Sequence, residues 1–400
     1  MITQRLLSLS GLGVFILIAW LLSEDRRRIN VRLVLWGIAL QFFFAVVILK
    51  TAPGRYVFDI ARIAMTKVLN FTDIGASFLF GNLTSDPAMG AMVAFKVLPT
   101  IIFVASIMGV LYYYGVIQAV VRGMAWIMRR TMKASGAEAF MAAAFVFMGI
   151  EAITAIKQYI RRMTRSELFT LMTGFMATIA GSVMAAYVSF GASAGHLLSA
   201  SIMSAPAALV ISKIMIPERD TPLTAEEGRA ELKSGDVNVI DAAANGAVEG
   251  LKLAVTIGAI LLAFVSIIGM LDSVLAYFNT SFEGITGYAF APVAFVMGVP
   301  YDECIEVGKL LGIKIVFNEF ISYQKLKHYV DAGALSPRSV TIATYALCSF
   351  ANFGSLAILI GGIGGIAPDR KKEVVSLGIR ALVAGSMAGF MTATIAGILL

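Results

Sequence analysis

Charge is scarce in this chain: aspartate, glutamate, lysine and arginine make up 14% of its 400 residues, against about 25% in an ordinary soluble protein. Histidine and cysteine are rarer still, with two of each. His196 and His328 stand alone, so neither a hydrolase triad nor a zinc site can be assembled from them. Cys304 and Cys348 offer no metal spacing and no disulfide framework. With 58% hydrophobic residues and a mean hydropathy of +0.84, these shortages exclude a disordered chain, a secreted disulfide scaffold and an ordinary globular enzyme. An all-α polytopic membrane protein remains.

Eight apolar runs approach the roughly 20 residues with which a helix crosses a bilayer. They lie near 6–22, 33–50, 98–119, 168–190, 197–216, 251–277, 338–361 and 376–400. The first meets Arg26, Arg27 and Arg28 directly and lacks a small-residue cleavage pattern, so it reads as a retained span. The net charge of +7 sits in short loops beside these runs, which points to membrane orientation and not to nucleic acid. The segments after runs one, three, five and seven hold 18 of the 32 basic residues, and the alternate segments hold nine. The richer set is expected in the cytoplasm, with both termini on the outer face of the cell (inner) membrane.

Three stretches are not simple spans. Residues 52–70 place Arg55, Asp59 and Arg62 on one helical face and Val57, Ala61, Ala64 and Val68 on the other, the pattern of an interfacial amphipathic helix. Residues 139–156 and 310–323 are short apolar runs that each carry an acid, Glu151 and Glu319. Such runs read as re-entrant helical hairpins or buried half-helices. The first is flanked by the basic loops and the second lies in an alternate segment, so the two enter from opposite faces, the signature of inverted repeats. Glu151 precedes Ser182 in the Gly181-Ser182 interruption of run four by 31 residues, and Glu319 precedes Asn352 in run seven by 33. Each half thus reads as a hairpin, a broken span and a plain span.

A carboxylate at membrane depth costs about 2.5–3.5 kcal/mol on insertion scales, so Glu151 and Glu319 must face a cavity or a partner. The plain alternative pairs them with Lys157 and Lys314. In run seven, Asn352 and Ser355 are three apart and share a helical face, with Phe350 and Phe353 beside them and Gly354 favouring an unwound binding segment. Gly361-Gly362-Ile363-Gly364-Gly365 has no preceding strand and no Gly-Lys-Ser/Thr ending, and is expected to terminate the helix.

Asn318-Glu319-Phe320 and Phe350-Ala351-Asn352-Phe353-Gly354-Ser355 together resemble the concentrative nucleoside transporter family. Phe80-Gly81-Asn82-Leu83, Ala180-Gly181-Ser182, Ala289 to Pro300 and Leu335-Ser336-Pro337-Arg338 extend the resemblance, in order, along the chain. It implies eight spans with two re-entrant hairpins, and a homotrimer moving nucleosides inward on an ion gradient. Glu319, Asn352 and Ser355 would bind the ribose hydroxyls, Phe350 would line the pocket, and Glu151 would lie near the base. Gly149, Ile150 and Asn318 complete the expected lining. Where the family tip reads Gly-Gln-(Thr/Ser/Asn)-Glu, this chain has Gly149-Ile150-Glu151, which predicts an altered base preference or an unusual related solute.

Sodium-coupled members carry an asparagine four residues before the tip glycine, a position held here by Phe145, whereas Ser182 matches a second sodium ligand. The expectation is a proton-coupled symporter with Glu151, Glu319 and Ser182 at the coupling site, membrane lipid around it and no cofactor. A sodium-coupled nucleoside symporter, or a channel or carrier for another small polar solute, is the alternative. The organisation expected is a scaffold over 1–119, a first transport repeat over 120–216, a cytoplasmic loop and scaffold span over 217–300, and a second transport repeat over 301–400.

Overall fold

The computed structural model describes residues 2–84, 93–223 and 235–400, and every regular element among them is helical. Helices α1 (Ile2–Leu21) and α2 (Val31–Lys50) come first, followed by the long amphipathic α3 (Ala52–Phe80). Next come α4 (Val93–Tyr113) and α5 (Val116–Met132). The first hairpin is α6 (Gly136–Ala144), a tight 3-10 segment at Ile150–Ile156, and α7 (Lys157–Ile160). A broken span, α8 (Arg165–Ala177) and α9 (Gly181–Ser189), and the plain α10 (Ala194–Met215) complete that half.

After α11 (Val239–Leu275) and α12 (Phe282–Val296) the pattern returns. The second hairpin is α13 (Cys304–Val316) with α14 (Glu319–Asp331), and the second broken span is α15 (Pro337–Leu347) with α16 (Phe353–Ile366). The final helix is α17 (Lys371–Leu399). Among the described residues seven helices are long and apolar enough to cross a membrane. The eighth expected span, run seven, is the α15–α16 pair, whose interruption shortens each piece.

Local chemistry explains most boundaries. Ser135-x-x-Glu138 and Thr164-x-x-Glu167 both form reciprocal capping boxes, which start α6 and α8 by satisfying orphan amide donors. Asn30, Asn238, Asn318 and Asn352 cap α2, α11, α14 and α16 through their side-chain oxygens.

Several boundaries differ from expectation. The third run does not continue to 119, because Gly115 at φ 76 turns the chain and starts α5. Residues 239–250 are the first turns of α11 and not loop. The amphipathic helix runs ten residues past 70, and the second hairpin extends outward from 310–323 to the full lengths of α13 and α14. The Gly361–Gly365 stretch forms the last turns of α16, which ends one residue later at Ile366; the residues flanking those glycines are buried or packed against the core, and packing offsets the entropic cost of glycine in a helix.

Helix α10 sits centrally, packed on α2, α8 and α17, while α1 lies along α17. Helices α4 and α11 pair separately along glycines: a Cβ at Gly109 would lie 2.5 Å from Ala242 O, and one at Gly246 would lie 2.6 Å from Ala105 O. Two motifs far apart in sequence also meet. Arg338 Nε donates to Gly298 O at 3.0 Å, where Gly298 adopts φ 93 with its Cα facing Ser8.

Candidate functional site

The interruptions satisfy one another's backbone groups, as unwound backbone inside a membrane protein must. Gly181 N donates to Phe147 O at 3.0 Å, joining the α8–α9 break to the first hairpin. Phe350 N donates to Thr178 O at 3.0 Å, joining the two broken spans. The hairpin tips and both breaks therefore converge on one cleft enclosing about 720 Å³ of empty space that includes open solvent. Gly149, Ile150, Glu151, Asn318, Glu319, Phe350, Asn352 and Ser355 all line it.

Glu319 is the first residue of α14, behind its cap Asn318, whose Oδ1 accepts from Ile321 N at 3.0 Å. The carboxylate is 3% exposed. Its Oε1 accepts from Tyr187 Oη at 2.7 Å and its Oε2 from Asn352 Nδ2 at 2.8 Å. Tyr187 is held by a stacked contact with Tyr323 at 4.5 Å and an edge-on contact with Phe320 at 5.0 Å. Asn352 does not share a helical face with Ser355 in the expected way. It is the cap of α16, its Oδ1 accepting from Ser355 N at 2.7 Å, so the Ser355 hydroxyl and the Asn352 amide edge come from one tight turn. Two half-helix N-termini, those of α14 and α16, thus meet at the Glu319–Asn352 bond, and their dipoles favour electron-rich groups there.

Glu151 sits on the opposite side, its carboxylate folded back over Gly149: a Cβ at residue 149 would lie 2.9 Å from Glu151 Oε2. Backbone groups of Gly149 and of Glu151 itself hydrogen-bond it. Ile150 faces α16, its Cγ1 3.0 Å from where a Cβ on Gly362 would be. Phe350 packs on Phe175 at 5.7 Å, and Phe175 packs in turn on Phe145 at 5.8 Å. Phe145 is fully buried and its side chain brings no oxygen to the hairpin. Among the described residues, buried Lys314 finds no hydrogen-bond partner for its Nζ, which lies 5.6 Å from the Phe390 ring centre, and it forms no ion pair with Glu319. Ser182, at the start of α9, is outside the cleft lining.

Sequence reasoning missed two parts of this site. Tyr187, the donor to Glu319, reads as an ordinary aromatic in an apolar run. Leu253, Thr256, Ile257 and Ile260 of α11 form one wall at helical spacing i, i+3, i+4, i+7. Thr256, a hydroxyl inside a long apolar run, was the available signal. Among the described residues no group of three or more His, Cys, Asp or Glu side chains is placed to hold a metal ion.

Family models cover the chain almost end to end. Residues 10–83 match the N-terminus of the Na+ dependent nucleoside transporters, 94–194 match a nucleoside recognition module, and 196–397 match the C-terminus of the same transporters. Solute carrier family 28 member 3 of Rattus norvegicus is 42% identical in an alignment that covers 99% of this chain and 59% of that protein. Sodium/nucleoside cotransporter 1 of Mus musculus is 38% identical, over 99% of this chain and 64% of its own length. The chain therefore spans about three-fifths of these mammalian relatives. An uncharacterized transporter of Haemophilus influenzae is 39% identical over 98% of this chain and 97% of its own. The structure of CNTnw in an inward-facing substrate-bound state superposes with a TM-score of 0.93 at 40% identity, covering 98% of both chains. A CNTnw variant in an outward-facing state gives 0.94 at 40% identity, covering 100% of this chain and 99% of the other. In sequence, in fold and along nearly its whole length, this multi-pass membrane protein belongs to the concentrative nucleoside transporter family.

Proposed function

We propose that the chain is a secondary active importer of nucleosides, or of closely related solutes, working by alternating access. The observation that carries this reading is the Tyr187–Glu319–Asn352 arrangement at the meeting point of two half-helix N-termini. An ionised carboxylate accepts from ribose hydroxyls, and Asn352 and Ser355 supply both donors and acceptors. Phe350, with Phe175 behind it, offers a face on which a base can stack. Glu151 approaches from the other hairpin, and Ile150 presents only hydrocarbon where base-reading side chains are expected, so the base is held largely by shape and stacking.

Sodium is the coupling ion in this reading, in place of the proton expected from Phe145. A relative named sodium/nucleoside cotransporter matches along 99% of the chain, and that weighs more than one lost side-chain ligand. Backbone carbonyls at the hairpin tip and the α8–α9 break are hard oxygen donors of the kind that unwound segments use for Na+.

Packing supports a moving unit that contains both hairpins, α8–α10 and α15–α17, together with α1 and α2, which lie against α17 and α10. The glycine-paired α4 and α11 form the element it moves against. In this reading α1 and α2 belong to the moving unit and not to the scaffold. Assembly as a homotrimer in the cell (inner) membrane, with both termini outside, completes the proposal.

Uptake of labelled nucleosides into proteoliposomes tests it. Saturable uptake driven by an inward sodium gradient and insensitive to a protonophore is expected. Non-saturable flux would favour a channel, and uptake abolished by the protonophore without any need for sodium would restore the proton reading.

A further inference from the structure

The turn after α4 presents a surface that the cleft does not use. Helix α4 ends in Tyr112-Tyr113, Tyr114 follows in the turn, and the rings of Tyr113 and Tyr114 meet edge-on at 5.6 Å. Aromatic groups of this kind collect at the headgroup level of a bilayer. Gln118 Nε2 donates to Tyr112 O at 2.6 Å and holds the turn at Gly115. Helix α5 then departs with one face buried, carrying Ile117, Val121, Ala125, Met128 and Met132. Its other face exposes Val120, Arg122, Trp126, Arg129 and Arg130. Trp126 is 64% exposed, an arrangement that suits a helix lying in the membrane interface.

Arg122, Trp126, Arg129 and Arg130 line a single groove floored by the buried Phe140 of α6. No carboxylate pairs with any of the three guanidinium groups among the described residues. Other arginines of the basic loops are paired: Arg161 with Asp369 at 3.3 Å, Arg165 with Glu24 at 3.0 Å, and Arg370 with Glu373 at 2.8 Å. The three guanidinium groups of this groove thus stand together without a compensating carboxylate among the described residues. Guanidinium groups match phosphate oxygens in bidentate geometry, and tryptophan is at home where headgroup meets hydrocarbon.

We propose that this groove binds the headgroup phosphate of an anionic phospholipid. The full-length protein, purified from nanodiscs holding equal phosphatidylglycerol and phosphatidylcholine, is examined by native mass spectrometry for retained lipid. Enrichment of phosphatidylglycerol is expected. The triple variant Arg122→Gln, Arg129→Gln, Arg130→Gln is expected to lose retention about tenfold or more, since one arginine near an anionic surface is worth about fivefold. Arg122→Gln and Arg130→Gln alone, on exposed side chains, carry the same test should the triple variant fold poorly, each with about a fivefold loss. The control pair Lys371→Gln, Lys372→Gln keeps the enrichment. Equal retention of both lipids by the unaltered protein, or enrichment untouched in the arginine variants, overturns the proposal. Displacement of phosphatidylglycerol by millimolar inorganic phosphate assigns the groove to a soluble anion and overturns it as well.

Discussion

Asn352 joins the two halves of the site: it donates to Glu319 Oε2 at 2.8 Å while its own Oδ1 caps α16. One side chain thus fixes a helix start and a carboxylate at once. Glu319→Gln removes the charge and leaves one acceptor oxygen for two donors, because a glutamine nitrogen cannot accept from Tyr187 Oη or Asn352 Nδ2. Hydrogen bonds to charged groups are worth about 1.5–3 kcal/mol, which corresponds to roughly ten- to a hundredfold in affinity. Nucleoside uptake by Glu319→Gln at low substrate concentration is expected to fall by that range. Uptake within twofold of the unaltered protein would remove Glu319 from the binding site.

A second relationship clamps the first hairpin to the broken span. Ser135 Oγ donates to Glu167 Oε1 at 2.7 Å, linking the capping boxes of α6 and α8. Lys213 of α10 pairs with Glu138 and bonds Ser166 at 2.9 Å and Glu218 at 3.1 Å. Removing one partner of a buried pair leaves an uncompensated charge, at about 3–5 kcal/mol. Lys213→Met is therefore expected to lower the Tm more than the double variant Lys213→Met, Glu138→Gln does. Thermal unfolding of single and double variants in detergent measures the difference, and additive losses would mean the pair is not coupled.

The loop between α1 and α2 is held by charge. Glu24 pairs with Arg165 and Arg380 and accepts Arg219 on its carbonyl at 3.1 Å. Burial alone would raise the Glu24 carboxyl, but Arg165, with Arg380 and Arg219, outweighs it and holds the group below its ordinary 4.5. A depressed carboxylate contributes stability above 4.5, and the contribution is lost as pH falls through the folded value. The Tm of Glu24→Gln is expected to lie below that of the unaltered protein at pH 7, with the gap closing as pH falls below 4.5. A gap that stays constant with pH would mean the carboxylate contributes no charge-dependent stability.

The α4–α11 pairing predicts opposite outcomes for two glycine-to-alanine changes. At Gly250 an added Cβ would lie 2.7 Å from Ala105 Cβ and 2.8 Å from Ile102 Cα, so backbone must move. Overpacking of this kind costs about 1–3 kcal/mol. At Gly123 nothing lies within 4 Å, and alanine in a helix gains roughly 0.5–1 kcal/mol over glycine. Gly250→Ala should lower the Tm and Gly123→Ala should leave it level or raise it. Equal effects would show that glycine content, and not close helix approach, governs both positions.

Much of the architecture was legible along the chain. The Gly181-Ser182 step and the Ser349–Ser355 cluster marked both helix breaks, because small and polar residues interrupt apolar periodicity. Two isolated acids marked the hairpins, because a carboxylate in an apolar run has to be accounted for. Helix α5 was hidden because the apolar run of α4 continues past Gly115 without a change of composition, and only the φ of that glycine reverses the path. The Gly361–Gly365 stretch marked the end of α16 to within a turn, because glycine disfavours further helix once packing stops holding it.

By itself, then, the sequence determined the class of molecule, the number of apolar passes and most of the isolated polar residues that line the cleft. Desolvation makes charge and polarity in a membrane protein rare enough to stand out singly. Which of those residues meet was decided by the tertiary structure. Tyr187 reaches Glu319 across 132 positions, Lys314 lies over the Phe390 ring and forms no ion pair with Glu319 five residues on, and Arg122, Arg129 and Arg130 share one groove. Contacts of that kind depend on how helices cross and where their backbones break, and one-dimensional periodicity carries neither.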